Sequence, residues 1–144
     1  MLVDLIHAEP GVDVGADLAV PASPDGKTLA VVSVASNSIT LIETATNKIK
    51  GKVYVGRSPH EAFFTPDGRE LWVTVRGESY ISVIDPVQMK EARRIDLANG
   101  PGMTMFGPDG RYAFICSSFT AELAVVELAS PARRLSRSAA MTWS

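Results

Sequence analysis

The sequence contains a single cysteine, Cys116. An intrachain disulfide is therefore impossible, and a cysteine-rich metal site is excluded. No apolar run reaches the ~18 residues that would span a bilayer as a helix. No charge of one sign dominates: 14 Lys and Arg stand against 16 Asp and Glu, a formal net charge of -2. No basic excess points to nucleic acid, and no acidic block points to a solvating tail. There is no phosphate-cradling glycine loop, no Ser-His-Asp arrangement at a recognisable spacing, and no carboxylate pair placed by local sequence. Asn47-Lys48-Ile49 is not a glycosylation sequon, because its third residue is Ile. The N-terminal MLVDLIHAEPG has no basic n-region, and Asp4 and His7 break its apolar run. It does not read as a signal peptide. The expectation is a cytoplasmic protein, or one whose native leader is not part of this sequence.

What the sequence has is length, apolar content and a repeat. Its 144 residues are 46% hydrophobic, enough for one domain with a real core. A Pro-Asp-Gly triplet occurs three times, at Pro24, Pro66 and Pro108, and the copies are 42 residues apart. The flanks keep the same register. After the triplet come KTLAVVSV (Lys27 to Val34), RELWVTV (Arg69 to Val75) and RYAFICS (Arg111 to Ser117). After a polar gap come SITLIE (Ser38 to Glu43), YISVID (Tyr80 to Asp85) and ELAVVEL (Glu122 to Leu128). Then come IKGKVYVG (Ile49 to Gly56) and ARRIDLANG (Ala92 to Gly100). Each run is short, rich in Val, Ile, Leu, Phe and Tyr, and bounded by Gly, Pro, Asn or Asp, which reads as a strand. No segment has helical spacing over ten residues or more.

Pro-Asp-Gly closes a hairpin between a first strand, such as Ala62 to Thr65, and a second, such as Leu71 to Val75. Proline presets φ, aspartate bonds its own backbone, and glycine supplies φ > 0. Four antiparallel strands in about 42 residues are the content of one β-propeller blade. The second strands are nearly continuous in apolar residues, as strands buried on both faces are. The fold class expected is all-β: about three propeller blades, incomplete as a ring. The blades fall at about 16–56, 58–98 and 100–130, within a single partial propeller domain over 1–144. The segment 131–144 is rich in Ser, Ala and Arg and reads as a diverged or frayed tail.

The order of triplet, apolar strand, polar gap, YISVID, variable turn and a strand ending near Gly-x-x-Pro resembles the YVTN β-propeller repeat family. The resemblance covers roughly Gly11 to Leu128. It implies a protein that is typically seven-bladed and often periplasmic or extracellular, in many cases a binding or surface protein. Related propellers include lactonase-like enzymes and the propeller domains of haem and copper oxidoreductases. The cofactor ligands of those enzymes are not recognisable here, so no cofactor is expected.

Three blades cannot close a ring, since four to eight are usual. An open stack exposes an apolar face on the order of hundreds of Å². The chain is expected to be a fragment of a longer propeller, to pair with a second copy, or to be closed by another subunit.

Function in a propeller sits where the loops entering the innermost strands meet those joining the second and third. The first set is Gly15 to Leu18, Arg57 to His60 and Asn99 to Gly102. The second is Ala35 to Asn37, Arg76 to Ser79 and Ser118 to Thr120. Candidate ligand-binding residues are therefore His60, Glu61, Arg57, Arg76, Glu78 and Asp17. His60 aligns with Leu18 and Gly102, so the repeat does not require a histidine there. It could serve as a metal ligand or general base, or simply bond a neighbouring loop. His7 is the only other histidine, so a multi-histidine metal site is not expected, and neither metal ligands nor catalytic residues are assigned. Arg57, Arg76 and His60 could form a small positive patch for an anion. Asp25, Asp67 and Asp109 are turn residues. Cys116 reads as a small buried residue, and Trp72 and Phe114 as packing between blades. The reading is a non-catalytic module binding a small ligand or a protein. The alternative is a lactonase-like, hydrolase or oxidoreductase propeller enzyme.

Overall fold

A computed structural model of the chain describes residues 20–97 and 99–128 and the backbone of 135–140. Eleven strands are described: β1 Thr28–Ser33, β2 Ser38–Glu43, β3 Lys48–Tyr54, β4 Pro59–Phe64, β5 Leu71–Val75, β6 Tyr80–Asp85, β7 Lys90–Asp96, β8 Pro101–Phe106, β9 Tyr112–Ser117, β10 Glu122–Glu127 and β11 Leu135–Ala140. They form three sheets in sequential order, β1-β2-β3, β4-β5-β6-β7 and β8-β9-β10-β11. Every pairing is antiparallel. These are three blades of a partial β-propeller. Ala22 forms an isolated bridge with Leu29. That is the position of the Phe64↔Leu71 pair in blade 2 and the Phe106↔Ala113 pair in blade 3. Gly11 to Gly15 and Asp17 lie outside the described residues.

The Pro-Asp-Gly triplets do what their chemistry dictates. Gly26, Gly68 and Gly110 have φ of 70°, 70° and 65°. Their amides donate to the carbonyls of Ser23, Thr65 and Gly107. Each aspartate Oδ1 accepts the amide two residues on, from Lys27, Arg69 and Arg111, at 3.0, 3.1 and 3.0 Å.

Alternation along each strand sends successive side chains to opposite neighbours. In β5, Leu71 and Val73 join Ala30, Val32, Ile39 and Leu41 of blade 1. Trp72, between them, joins Ala113, Ile115, Ala124 and Val126 of blade 3. All five residues of β5 are buried for this reason. Burying one such aliphatic side chain stabilises by about 1.5–3 kcal/mol, whereas a single turn hydrogen bond contributes about 0.5–1.5 kcal/mol net. Face-to-face packing therefore holds the stack, and the turns set its register.

Blade 3 departs from the sequence expectation in three places. The segment taken as a diverged tail supplies a fourth strand, β11, with Leu123 opposite Ala139 and Ala124 opposite Ser138. Outermost strands need little apolar content: β3 and β7, KIKGKVY and KEARRID, are also largely polar and exposed. The strand is paired along the backbone edge of β10. Phe114 is 36% exposed, although its repeat mate Trp72 is fully buried. Ala113 and Ile115 face blade 2, so Phe114 faces away from it, and no described sheet covers that side. Cys116, expected to be buried, is partly exposed, with its Sγ 3.6 Å from the Met103 carbonyl.

Candidate functional site

Among the described residues, the loops around Asn37, Arg57, Gly77, Gly100 and Ser118 are joined by hydrogen bonds, and Gly15 to Leu18 lie outside the described residues. Asn37, at φ 53°, links blade 1 to the chain entering blade 2. Its carbonyl accepts the Val55 amide at 2.8 Å, and its Oδ1 accepts the Ser58 amide at 3.0 Å. One blade further on, the Glu78 carbonyl accepts the Gly100 amide at 3.0 Å, while its Oε1 accepts the Arg57 amide at 3.0 Å. Arg57 Nη2 donates to the Gly77 carbonyl at 2.6 Å. The Gly77 amide donates back to the Arg57 carbonyl at 3.1 Å. A Cβ on Gly77 would sit 2.5 Å from that carbonyl oxygen, so only glycine fits. Ser118 and Ser117 extend the pattern to Gly100 and Asn99 of blade 3.

This frame occupies Arg57 and Glu78, two of the residues expected to meet a ligand. Arg76 is half-buried and its guanidinium has no partner among the described residues.

His60 and Glu61 owe their position to a β-bulge. Pro59 pairs with Val75 and Glu61 with Thr74, so His60 is the extra residue. Bulges re-aim side chains and are frequent at functional rims. Thr74 pins the bulge: its Oγ1 lies 3.1 Å from the Glu61 amide and 3.2 Å from the Glu61 carbonyl. Blade 3 repeats the device, with a register shift between Pro101 and Thr104 and Cys116 in the place of Thr74. His60 Nδ1 lies 3.9 Å from Glu61 Oε1, beyond hydrogen-bond length. His60 Nδ1 and Glu61 Oε2 are buried with no hydrogen-bond partner. The pair is thus adjacent but not coupled as base and orienter, which need about 2.6–3.2 Å. Among the described residues no three His, Cys, Asp or Glu side chains cluster as metal ligands do.

Two further groups show how the surroundings tune titration. The Ser23 hydroxyl and the Lys27 amide hold the Asp25 carboxyl below its usual value. Burial pushes the Tyr80 hydroxyl up, against the opposing effect of Arg94, whose guanidinium lies 4.3 Å above the ring.

One feature escaped the sequence reading. A cavity of about 380 Å³ opens between blades 1 and 2 at the Pro-Asp-Gly end, away from the loop frame.

No protein-family model matches the chain, and no curated protein matches it. Solved structures do. Hydrazine synthase of Kuenenia stuttgartiensis superposes over 93% of this chain with a TM-score of 0.79 and 27% identity. Dihydro-heme d1 dehydrogenase NirN superposes over 93%, with a TM-score of 0.74 and 17% identity. The β-propeller domain of Cps50 (Swd1) from Myceliophteria thermophila superposes over 85%, with a TM-score of 0.66 and 19% identity. The chain spans 39%, 30% and 42% of those three chains. The last two similarities establish the propeller fold alone.

Proposed function

We propose that the chain is a non-catalytic propeller module that binds a small ligand or a protein at the loop frame, and is part of a longer YVTN-type repeat protein. The observation that carries this reading is the 3.9 Å gap between His60 and Glu61 beside an unpartnered Arg76. Among the described residues the rim offers recognition groups on a hydrogen-bonded frame, and His60 and Glu61 are not hydrogen-bonded as an acid–base pair. Asp17 belongs to the same proposed rim, and Arg57 and Glu78 hold it in shape. The spans of 30% to 42% in larger propellers support a longer protein. A periplasmic or extracellular location follows from the family resemblance.

The enzymatic alternative has one observation in its favour. Two buried polar atoms, His60 Nδ1 and Glu61 Oε2, have no partner, and buried polar groups in native proteins nearly always have one. Two of the similar structures are named as a synthase and a dehydrogenase.

The test is a screen of small carboxylates, phosphates and lactones against the labelled full chain, read by amide shifts and by turnover. Shifts centred on Arg76, His60 and Glu78, reduced at least tenfold in affinity by Arg76→Ala and without turnover, support binding. Lactone turnover that His60→Ala abolishes would replace the binding reading with the enzymatic one.

A further inference from the structure

The cavity at the Pro-Asp-Gly end has turns of both blade 1 and blade 2 in its wall. Its volume of about 380 Å³ is that of a small-molecule site. The buried Phe64 and Pro86 of blade 2 supply apolar wall. Asp25, Lys27, Glu43 and Lys50 of blade 1 bring charges of both signs to the same space. No ion pair joins these residues to one another. Neutral neighbours hold them instead. Asp25 Oδ1 accepts the Ser23 hydroxyl at 2.6 Å and the Lys27 amide at 3.0 Å, and both stabilise the carboxylate form. Its Oδ2 has no hydrogen bond among the described residues. Glu43 Oε2 accepts the Thr46 hydroxyl at 2.5 Å. Lys50 Nζ donates to Oγ1 of the buried Thr28 at 3.2 Å. An ammonium has three donors, so this bond leaves others to spare. Asp67 also lines the cavity, but its own turn uses it: Oδ1 accepts the Thr65 hydroxyl at 2.6 Å and the Arg69 amide at 3.1 Å.

We propose that this cavity binds a small zwitterion: an α-amino acid with an apolar side chain. Lys50 and Lys27 take its carboxylate, and Asp25 and Glu43 take its ammonium group. Hydrogen bonds between such ionised partners are stronger than neutral ones. The choice of a zwitterion follows from the wall. An anion alone would meet Asp25 and Glu43 as well as the two lysines, and a cation alone would meet the lysines as well as the carboxylates. A ligand with both charges pairs with each. Phe64 and Pro86 receive its side chain and remove that apolar surface from water. This site lies away from the loop frame, and its failure would leave the reading of that frame untouched.

The experiment titrates leucine, leucinamide and N-acetylleucine into the labelled full chain and follows its NMR shifts. Leucine should bind with shifts centred on Asp25, Thr28, Lys50 and Phe64. Leucinamide lacks the carboxylate and N-acetylleucine lacks the ammonium group, so each should bind at least tenfold more weakly. Asp25→Asn and Lys50→Met should each weaken leucine binding at least fivefold while keeping a folded amide spectrum. If either variant does not fold, the comparison of the three ligands on the natural chain decides. Absence of leucine shifts up to its solubility, shifts centred on Arg76 or His60 instead, or an analogue that binds as well as leucine would overturn the proposal.

Discussion

Trp72 of blade 2 meets Phe106 of blade 3 edge-to-face, with centroids 5.3 Å apart and planes at 68°. The contact lies at the centre of the blade 2–blade 3 interface, and the indole N–H is bonded to Glu70. Replacing Trp72 by Ala removes the largest fully buried side chain and opens a cavity. The expected loss is about 3–5 kcal/mol. Urea denaturation of the two proteins measures it. A loss below about 1 kcal/mol would show that the interface closes over the gap.

The outer side of blade 3 exposes Met103, Met105 and Phe114, at 54%, 64% and 36%. Phe114 is there because it repeats Trp72, whose side is covered by the following blade. The chain alone is expected to self-associate through this side, as apolar patches of several hundred Å² do. Light scattering across a concentration series should show growing mass, and Met105→Lys with Phe114→Lys should return it to the monomer. A natural chain that stays monomeric at every concentration contradicts this.

Gly77→Ala places a methyl group against a backbone oxygen rather than against a yielding side chain. The contact of 2.5 Å with the Arg57 carbonyl must open. Overpacking of this kind costs about 1–3 kcal/mol. Amide shifts should concentrate at Arg57, Gly77 and Glu78, and shifts confined to residue 77 would refute the coupling of the two loops.

Asp25 carries a pH prediction. The Ser23 hydroxyl, bonded at 2.6 Å, and the Lys27 amide stabilise its ionised form. The folded-state pKa therefore lies below the unfolded value. The associated stability is present above the ordinary carboxylate range and is lost as pH falls through the folded value. A carbon-detected titration should give Asp25 a midpoint below 3.8, and Ser23→Ala should raise it. A midpoint at or above 3.8 in the natural chain would be inconsistent with the turn geometry.

Much of the fold was legible because the repeat is written in local chemistry. Gly26, Gly68 and Gly110 need φ > 0, and Asp25, Asp67 and Asp109 cap their own turns, so the hairpins follow from spacing. β11 was not legible. An outer strand is held by the backbone edge of β10, and Ser, Ala and Arg give no apolar pattern to read. His60 and Glu61 lie at the start of β4, beside the loop frame, and their bulge depends on how β4 pairs with β5, which no single strand encodes. The roles of Arg57 and Glu78 in fixing the loops were hidden for the same reason.

The sequence by itself determined the blade: the strand order, the turns and the residues able to be buried, because these depend on neighbours within one repeat. The tertiary structure decided what each blade's faces meet. Trp72 is sealed by Phe106, Phe114 in the same register is partly open to solvent, and Ala30 is packed in the core that blade 1 shares with Leu71 and Val73. The physical reason is that burial belongs to a pair of faces. A strand carries only one side of that pair in its own sequence.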